Sequence, residues 1–102
     1  MTDPAEIVEI RRDEAAGRYE AELTDGSLAV LNYRVRDGEM LVTHTQTPVK
    51  HQGRGIAGRL TRFALDDALE RNLRLVPYCP YTAHFIRQNP EYEEHVADHF
   101  EP

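Results

Sequence analysis

A glycine-rich stretch, residues 45–60, contains the residues whose types and spacing point most directly to chemistry. Gly53, Gly55 and Gly58 lack a Cβ, so a bulky ligand can approach the main chain closely there. An apolar pattern with helical spacing follows, and the first N–H groups of a helix have no partner within it and attract anions. The stretch therefore predicts an anion site, although a turn that only makes room for a helix to pack on a sheet needs the same glycines.

The distribution of charge favours the anion site over the packing turn. Residues 40–65 contain four of the 12 basic residues but none of the 18 acidic residues, in a protein whose formal net charge is −6. These four are Lys50, Arg54, Arg59 and Arg62. A basic island in an acidic chain indicates a local site for a negatively charged ligand. A Walker A loop does not fit, because residues 55–57 supply neither its lysine nor its hydroxyl.

Residues 52–57 read Gln-x-x-Gly-x-Ala, which resembles the Arg/Gln-x-x-Gly-x-Gly/Ala signature of the GNAT superfamily of acyl-CoA N-acyltransferases. Four further features match, namely His44-Thr45, a Leu-rich helix after the loop, Cys79-Pro80-Tyr81, and Asn-Pro-Glu-Tyr at residues 89–92. From about His44 to Tyr92, the chain therefore looks like the short GNAT-like proteins of the YjdJ type.

The resemblance implies a minimal GNAT fold that binds acetyl-CoA between its fourth and fifth strands, with loop amides holding the coenzyme's pyrophosphate. It also implies an amine as the acetyl acceptor, either on a small molecule or on a protein. By the same resemblance, the cofactor-binding residues are expected to be Thr45, Gln46, Thr47, Gln52, Gly53, Arg54, Gly55, Ile56, Ala57, Gly58, Cys79 and Pro80.

Acetyl transfer from a thioester to an amine needs a neutral amine, a polarised carbonyl and a proton for the departing thiolate. The family commonly has an acidic residue where this chain has Gln46, which cannot accept a proton at neutral pH. His44, expected on the same face of the strand, is then the candidate base, unless it is only a hydrogen-bonded strand histidine. The backbone N–H groups between Gln46 and Val49, of which Pro48 has none, are candidate donors to the carbonyl.

Cys79 and Tyr81 are the other candidate catalytic residues. Pro80 suits the first position of a helix, so Cys79 is expected at the N-cap. There the helix dipole stabilises a thiolate, which can accept the acetyl group. Tyr81 can donate a proton to the leaving thiolate. The alternatives are an inert buried cysteine and a core aromatic residue.

The elements that position these residues are predicted from their periodicity. Strands are expected at residues 7–10, 18–24, 28–35 and 40–47, and the turns Asp25-Gly26 and Asp37-Gly38 join them into an antiparallel meander. On the fourth strand, strict alternation places Met40, Val42, His44 and Gln46 on one face and Leu41, Thr43, Thr45 and Thr47 on the other.

A helix is predicted after the glycines, with apolar residues at helical spacing from Ile56 to Ala68 and Asn72 as a left-handed cap. Residues 73–78 form a fifth strand, which is expected to run parallel to the fourth because a helix connects them. Pro48, Pro77 and Pro80 remove backbone donors. The fourth and fifth strands are therefore expected to separate there, which leaves room for a long, thin ligand.

Two short C-terminal helices complete the predicted α+β fold. The first covers residues 81–88 after Pro80, and the second carries the stripe Tyr92, Val96 and Phe100. His95 and His99 have a spacing that suits two metal ligands, but no acid or cysteine pattern completes a site nearby, so no metal is expected. Residues 1–5 are expected to be a frayed start.

Length and composition restrict the remaining choices. At 102 residues the chain is expected to be one domain, residues 1–102. A net charge of −6 argues against nonspecific binding to nucleic acid or to an anionic membrane surface, and no apolar run is long enough to cross a bilayer. A single cysteine fits a reducing compartment, so a cytoplasmic protein is expected, either a monomer or a weak homodimer.

These observations lead to two main hypotheses. The first is an acetyl-CoA-dependent N-acetyltransferase that acts on a small-molecule or protein amine. The second is a noncatalytic acyl-CoA sensor or interaction module that keeps the cofactor loop and lacks the base. Gln46 leaves both hypotheses open, since an acid at that position would favour the enzyme. A third hypothesis, a phosphate-binding adaptor, needs no thioester chemistry.

Overall fold

The computed structural model describes residues 7–100, which form a five-stranded sheet with a helix packed across one face. The strands are β1 (Ile7–Asp13), β2 (Arg18–Leu23), β3 (Leu28–Arg36), β4 (Glu39–Gln46) and β5 (Arg74–Pro77). They lie in the order β1-β2-β3-β4-β5, antiparallel from β1 to β4 and parallel between β4 and β5. The predicted meander and its parallel fifth strand are confirmed, and the expectation for residues 1–5 lies outside the described range.

Two α-helices follow the meander. Helix α1 (Ile56–Glu70) connects β4 to β5, and α2 (Pro80–Gln88) begins directly after β5. Short 3-10 helices precede the glycine-rich turn (Val49–His51) and follow α2 (Pro90–His95). Helix α1 ends as predicted, because Asn72 adopts a left-handed φ of 62° and its N–H donates to the carbonyl of Leu69.

The core lies between α1 and the face of the sheet that α1 covers. Its sheet side includes Tyr19, Ala21, Ala29, Leu31, Met40 and Val42, and its helix side includes Ile56, Leu60, Ala64, Leu65 and Ala68. A fully buried leucine or isoleucine contributes about 1.5–3 kcal/mol relative to an exposed one. The apolar stripe of α1 therefore fixes the helix, and with it the glycine-rich turn, against the end of β4.

Strand β4 contains a bulge at Thr43. Asn32 of β3 pairs with His44, whereas the next residue, Tyr33, pairs with Val42, so Thr43 is the extra residue in the β3–β4 ladder. A bulge inserts one residue into one strand of an antiparallel pair, and strict alternation of side chains therefore fails across it. Every residue of β4 after Thr43 consequently lies on the face opposite to the one that alternation assigns.

The predicted division of β4 into two faces is thus wrong beyond the bulge. Thr45 pairs with Leu31, which is buried against α1, and directly paired residues share a face of the sheet. Thr45 therefore lies on the covered face together with Met40. His44 and Gln46 are exposed and lie on the opposite face.

The predicted last helix is present but shorter than the apolar stripe Tyr92, Val96 and Phe100 indicated. The 3-10 helix Pro90–His95 ends before Val96, which is extended and forms a parallel bridge with Leu75. The N–H of Ala97 then donates to the carbonyl of Leu75 at 2.9 Å. A helix this short has little intrinsic stability, so pairing with the free edge of β5 is favoured over helical continuation.

An ion-pair and hydrogen-bond cluster around Asp67 joins α1 to the first two strands. Arg12 Nη1 and Tyr19 Oη both donate to Asp67 Oδ2, at 2.6 and 2.7 Å. Partial burial acts to raise the pKa of the Asp67 carboxyl, but the hydrogen bonds from Tyr19 and Arg12 outweigh burial and hold that pKa below its ordinary value.

We expect the free energy of unfolding to fall as the pH drops below about 4, the ordinary pKa range of an aspartate. Because the pKa of Asp67 is lower in the folded state, its contribution is present above that pH and is lost as the carboxylate is protonated. Urea denaturation at a series of pH values measures this loss. Asp67→Asn should flatten the decline more than Asp98→Asn, which removes an exposed carboxylate, and equal slopes for both variants would contradict the assignment.

Candidate functional site

A cleft of about 390 Å³ lies where the end of β4 meets the glycine-rich turn. Its walls are formed by Thr45, Thr47, His51, Gln52, Gly53, Gly55, Ile56, Ala57, Gly58 and Tyr81. Most of the predicted cofactor-binding residues are in this set. Four are not: Gln46 is exposed on the opposite face, Arg54 is half-buried in the turn, Pro80 is exposed, and Cys79 is buried.

The cleft exists because β4 and β5 separate. Their parallel pairing ends at Val42 and Pro77, after which the N–H of Cys79 makes one more bond to the carbonyl of Val42, at 2.9 Å. Strand β4 then continues to Gln46, while the chain after Cys79 turns into α2. The predicted separation of the two strands is thus observed at the proline positions.

The start of α1 provides the inner wall of the cleft. Gly55 is the N-cap, with a left-handed φ of 80°, and a Cβ built on it meets no atom of the described chain within 4 Å. The glycine is therefore required by backbone conformation, and the space beside it is open. The first turn of α1 contains no acid. Its amides at residues 56–58 are the unpaired N–H groups of a helix start and carry its positive partial charge.

Thr47 links the two sides of the cleft entrance. Its carbonyl accepts a hydrogen bond from Gln52 Nε2 at 3.1 Å, which ties the end of β4 to the glycine-rich turn. Its hydroxyl oxygen is buried and has no hydrogen-bond partner within residues 7–100. A buried polar atom without a partner costs free energy, so this hydroxyl is suited to bind a ligand atom or a water molecule.

Tyr81 lies over the first turn of α1. A Cβ added to Gly58 would lie 3.6 Å from Tyr81 Oη and 4.0 Å from the Phe85 ring, which are ordinary contact distances, so both aromatic groups lie close beside the start of α1. Burial, and then the nearby Cys79 thiol, raise the pKa of Tyr81. The hydroxyl therefore keeps its proton at neutral pH and is available as a donor inside the cleft.

Cys79 is the N-cap of α2, as predicted, and Pro80 is the first helical residue. Cys79 is only 5% exposed, and in the neutral thiol Sγ–H donates to Thr45 Oγ1 at 3.6 Å. Burial acts to raise the pKa of Cys79, but the hydrogen bonds that the thiolate accepts from the backbone of Thr82, the hydroxyl of Thr45 and the backbone of Tyr81 outweigh burial, so the net shift is downward. The thiol lies behind Thr45, at the edge of the cleft.

Sequence inspection missed a cluster around Asp25, in the β2–β3 turn. His51 Nε2 lies 2.8 Å from Asp25 Oδ2, and Lys50 Nζ lies 2.9 Å from the same oxygen. Ser27 Oγ donates to the other carboxylate oxygen at 2.6 Å. The hydrogen bonds from Ser27 and His51 hold the pKa of Asp25 well below its usual range. Since His51 lines the cleft, Asp25 fastens the loop that forms the cleft to the sheet.

We expect Asp25→Ala to loosen this loop. The N–H groups of His51 and Gln52 are bonded within the Val49–His51 turn, and loss of the carboxylate should speed their hydrogen exchange roughly tenfold by favouring local opening. Amide exchange followed by NMR measures the effect. Asp13→Ala is the control, because Asp13 accepts the N–H of Ala16 in another turn. Unchanged exchange at His51 and Gln52 would show that Asp25 does not hold the loop.

Comparison with known proteins identifies the family. Residues 18–96 match the family profile described as GCN5-related N-acetyl-transferase. The chain belongs to this family. The match covers the last three strands of the meander, the cleft and both α-helices, and it confirms the resemblance that the loop signature indicated.

This GCN5-related N-acetyltransferase family member has vertebrate relatives named Protein NATD1. The Bos taurus protein is 43% identical over 47 residues, which are 46% of this chain and 42% of that protein. The Xenopus tropicalis protein is 29% identical over 90 residues, 86% of this chain and 83% of that protein. The matched segment spans half or less of the Bos taurus and Gallus gallus proteins.

A solved structure supports the GNAT fold. A GCN5-like protein of Staphylococcus aureus, determined by NMR, superposes with a TM-score of 0.63 at 23% identity, over 95% of this chain and 91% of that one. At this identity the likeness shows the fold alone.

The spacing of Gly53, Gly55 and Gly58 also fits a dinucleotide-binding turn. Such a turn has an acid about twenty residues later, however, and residues 74–80 contain none.

Within residues 7–100, no group of three or more His, Cys, Asp or Glu side chains is placed to hold a metal ion. His95 ends the 3-10 helix, and His99 contacts Glu39 Oε2 at 2.7 Å, so the two histidines do not share a helix face. No helix in the same part of the chain is long and apolar enough to cross a membrane.

Proposed function

We propose that this protein binds acetyl-CoA in the cleft and acts as an N-acetyltransferase on an amine. The observation that supports this most directly is the open space in front of the N-terminal end of α1, at the point where β4 and β5 separate. The free amides and the positive partial charge at the start of α1 suit the anionic end of a ligand, and the gap between β4 and β5 suits a narrow remainder. Acetyl-CoA has this shape and, when bound, supplies an activated acetyl thioester.

The residues of the chain divide into binding and reacting groups. The amides of Ile56, Ala57 and Gly58 and the hydroxyl of Thr47 are proposed to hold the pyrophosphate. The predicted cofactor-binding residue Arg54, which is half-buried, and the exposed Arg59 add positive charge around the turn, whereas Lys50 is paired with Asp25. Surface cations attract a polyanion over several ångströms and raise its association rate.

Three side chains are proposed to serve the reaction. Tyr81 Oη holds a proton inside the cleft and can donate it to a departing thiolate. His44 lies on the uncovered face of β4, so an amine that reaches the strand gap from that face meets the imidazole, which can accept its proton. Cys79, beside Thr45, can act as a nucleophile through its thiolate.

The role of Cys79 is tested by intact mass after incubation with acetyl-CoA. We expect the parent protein to gain the mass of one acetyl group and Cys79→Ala to gain none, because the lowered pKa of the thiol increases its thiolate fraction. An unmodified parent, together with a fully active Cys79→Ala variant, would remove the covalent role and leave direct transfer to the amine.

Release of free coenzyme A thiol in the presence of an amine panel tests the reaction itself. An enzyme should release thiol faster with at least one amine than in buffer alone. A protein that binds acetyl-CoA but releases no thiol with small amines, polyamines or lysine peptides would instead be the noncatalytic acyl-CoA sensor. An acid at position 46 would favour the enzyme, and Gln46 leaves this second function open.

A further inference from the structure

A second cavity, of about 510 Å³, lies beside the last residues of β3, which have no partner in β2. Strand β2 begins at Arg18, which pairs with Asn32, so the last residues of β3 extend beyond their neighbour and leave a notch. The β1–β2 turn and the end of α1 border this notch. The notch is separate from the cleft. Leu41 of β4 lines the notch and Thr45 of β4 lines the cleft, and four residues of extended strand place these two positions about 13 Å apart.

Three arginines line this second cavity, which we call the arginine cavity: Arg34, Arg36 and Arg71. Among residues 7–100, Arg34 and Arg36 form no ion pair, and Arg71 reaches only Asp67, at 3.7 Å. Asp67 already accepts two shorter hydrogen bonds, so it neutralises Arg71 weakly. The lining therefore contains three arginines and a single acid, Glu14, and in the described part of the chain no carboxylate pairs closely with the arginines.

Some arginines elsewhere in the described chain have close carboxylate partners, whereas Arg54, Arg59 and Arg87 form no ion pair. Arg12 and Arg18 contact carboxylates at 2.6 and 2.7 Å. Glu39, which stands opposite Arg36 in the β3–β4 ladder, is bound to His99 at 2.7 Å instead. Arg34, Arg36 and Arg71 differ from the other arginines in that all three line one cavity, which in a protein with 18 acidic and 12 basic residues indicates a site for an external anion.

The groups around the arginines leave this positive charge in place. Glu14 also lines the cavity, but it makes no ion pair with the three arginines. The carbonyls of Leu69 and Ala68, near the negative end of α1, accept the amides of Asn72 and Leu73. Arg71 Nη1 is buried and has no hydrogen-bond partner in the described chain, so the guanidinium has unused donor capacity.

We propose that the arginine cavity binds the oxyanion group, carboxylate or phosphate, of a small molecule. A guanidinium presents parallel N–H groups that match both kinds of oxyanion. Val35 and Leu41 provide apolar wall beside the charges, and the cavity volume is typical of small-molecule sites. The site lies outside the cleft, so this inference is independent of acetyl-CoA binding.

Two-dimensional ¹⁵N–¹H NMR of the whole chain in chloride buffer tests the site with three compounds. Benzoate and inorganic phosphate distinguish the two kinds of oxyanion, and benzamide is the neutral counterpart of benzoate. We expect saturable shifts of the amides of Val35, Leu41 and Arg71 with at least one anion and none with benzamide. The amides of Gly53 and Gly55 should not move with benzoate. Shifts that are absent with both anions, or equal with benzamide, would overturn the proposal.

Single substitutions then assign the charge. Arg34→Gln and Arg36→Gln alter exposed side chains, so the fold should survive, and each should weaken anion binding roughly tenfold, as expected for loss of a charged hydrogen bond. Arg87→Gln, the same change on α2 outside the cavity, should leave the affinity unchanged. Equal affinity in the parent, Arg34→Gln and Arg36→Gln would show that the arginines do not bind the anion.

Discussion

A Gly55→Glu variant is expected to lose coenzyme A affinity by roughly 100-fold or more, measured by calorimetric titration. Gly55 is the N-cap of α1, and the space where its Cβ would lie is open. A carboxylate there would stand where we propose the pyrophosphate binds. Two like unit charges 4 Å apart repel by about 4 kcal/mol at an effective dielectric constant of 20, which is enough for the predicted loss.

Gly38→Glu is the matched control for this variant. Gly38 lies in the β3–β4 turn with a φ of 77°, and its Cβ position is also free of atoms within 4 Å. The same substitution therefore adds the same charge and a similar backbone strain away from the cleft. Both variants should unfold at similarly lowered temperatures, but only Gly55→Glu should lose affinity. An equal loss of affinity in both would mean that strain, and not the cleft, explains the effect.

Tyr81→Phe is expected to lower kcat by roughly 100-fold while changing coenzyme A affinity little. The substitution removes only Oη, which lies in the cleft and keeps its proton because burial and Cys79 raise its pKa. The ring that packs beside Gly58 remains. Thiol-release kinetics measure kcat, and calorimetry measures the affinity, so an effect on proton donation is separated from an effect on binding.

Tyr78→Phe serves as the control for Tyr81→Phe. Tyr78 is 56% exposed, packs edge-on against Phe100 at 5.3 Å, and is not among the residues that line the cleft. Its hydroxyl should therefore be dispensable for turnover. Retention of the full parental kcat by Tyr81→Phe would exclude Tyr81 as the proton donor and transfer that role to water or to another group in the cleft.

The features that were predicted well from the sequence are determined by residues adjacent in the chain. Asp25-Gly26 and Asp37-Gly38 produce hairpin turns through their own backbone preferences. Cys79 followed by Pro80 marks the start of α2, because proline has no N–H to lose at the first helical position. Gly55 lies at the N-cap of α1 because it can adopt a positive φ.

The features that sequence did not predict depend on pairing between distant segments. The bulge at Thr43 is set by register against β3, and periodicity within β4 contains no sign of it. Val96 bridges β5 because that edge has free hydrogen-bonding groups, which outweighs the helical spacing of the last apolar residues. Strand direction alone could have suggested the contact of His51 with Asp25, because the β2–β3 turn and the end of β4 lie at the same end of a meander.

¹⁵N–¹H NMR of the parent protein titrated with coenzyme A tests whether the cleft beside α1 binds the coenzyme. We expect saturable shifts at the amides of Thr45, Thr47, Gly53, Gly55 and Ala57, which line the cleft. We also expect the turn around Gly38 to stay unaffected. A spectrum that does not change, or that changes only outside the cleft, would contradict both the enzyme and the sensor.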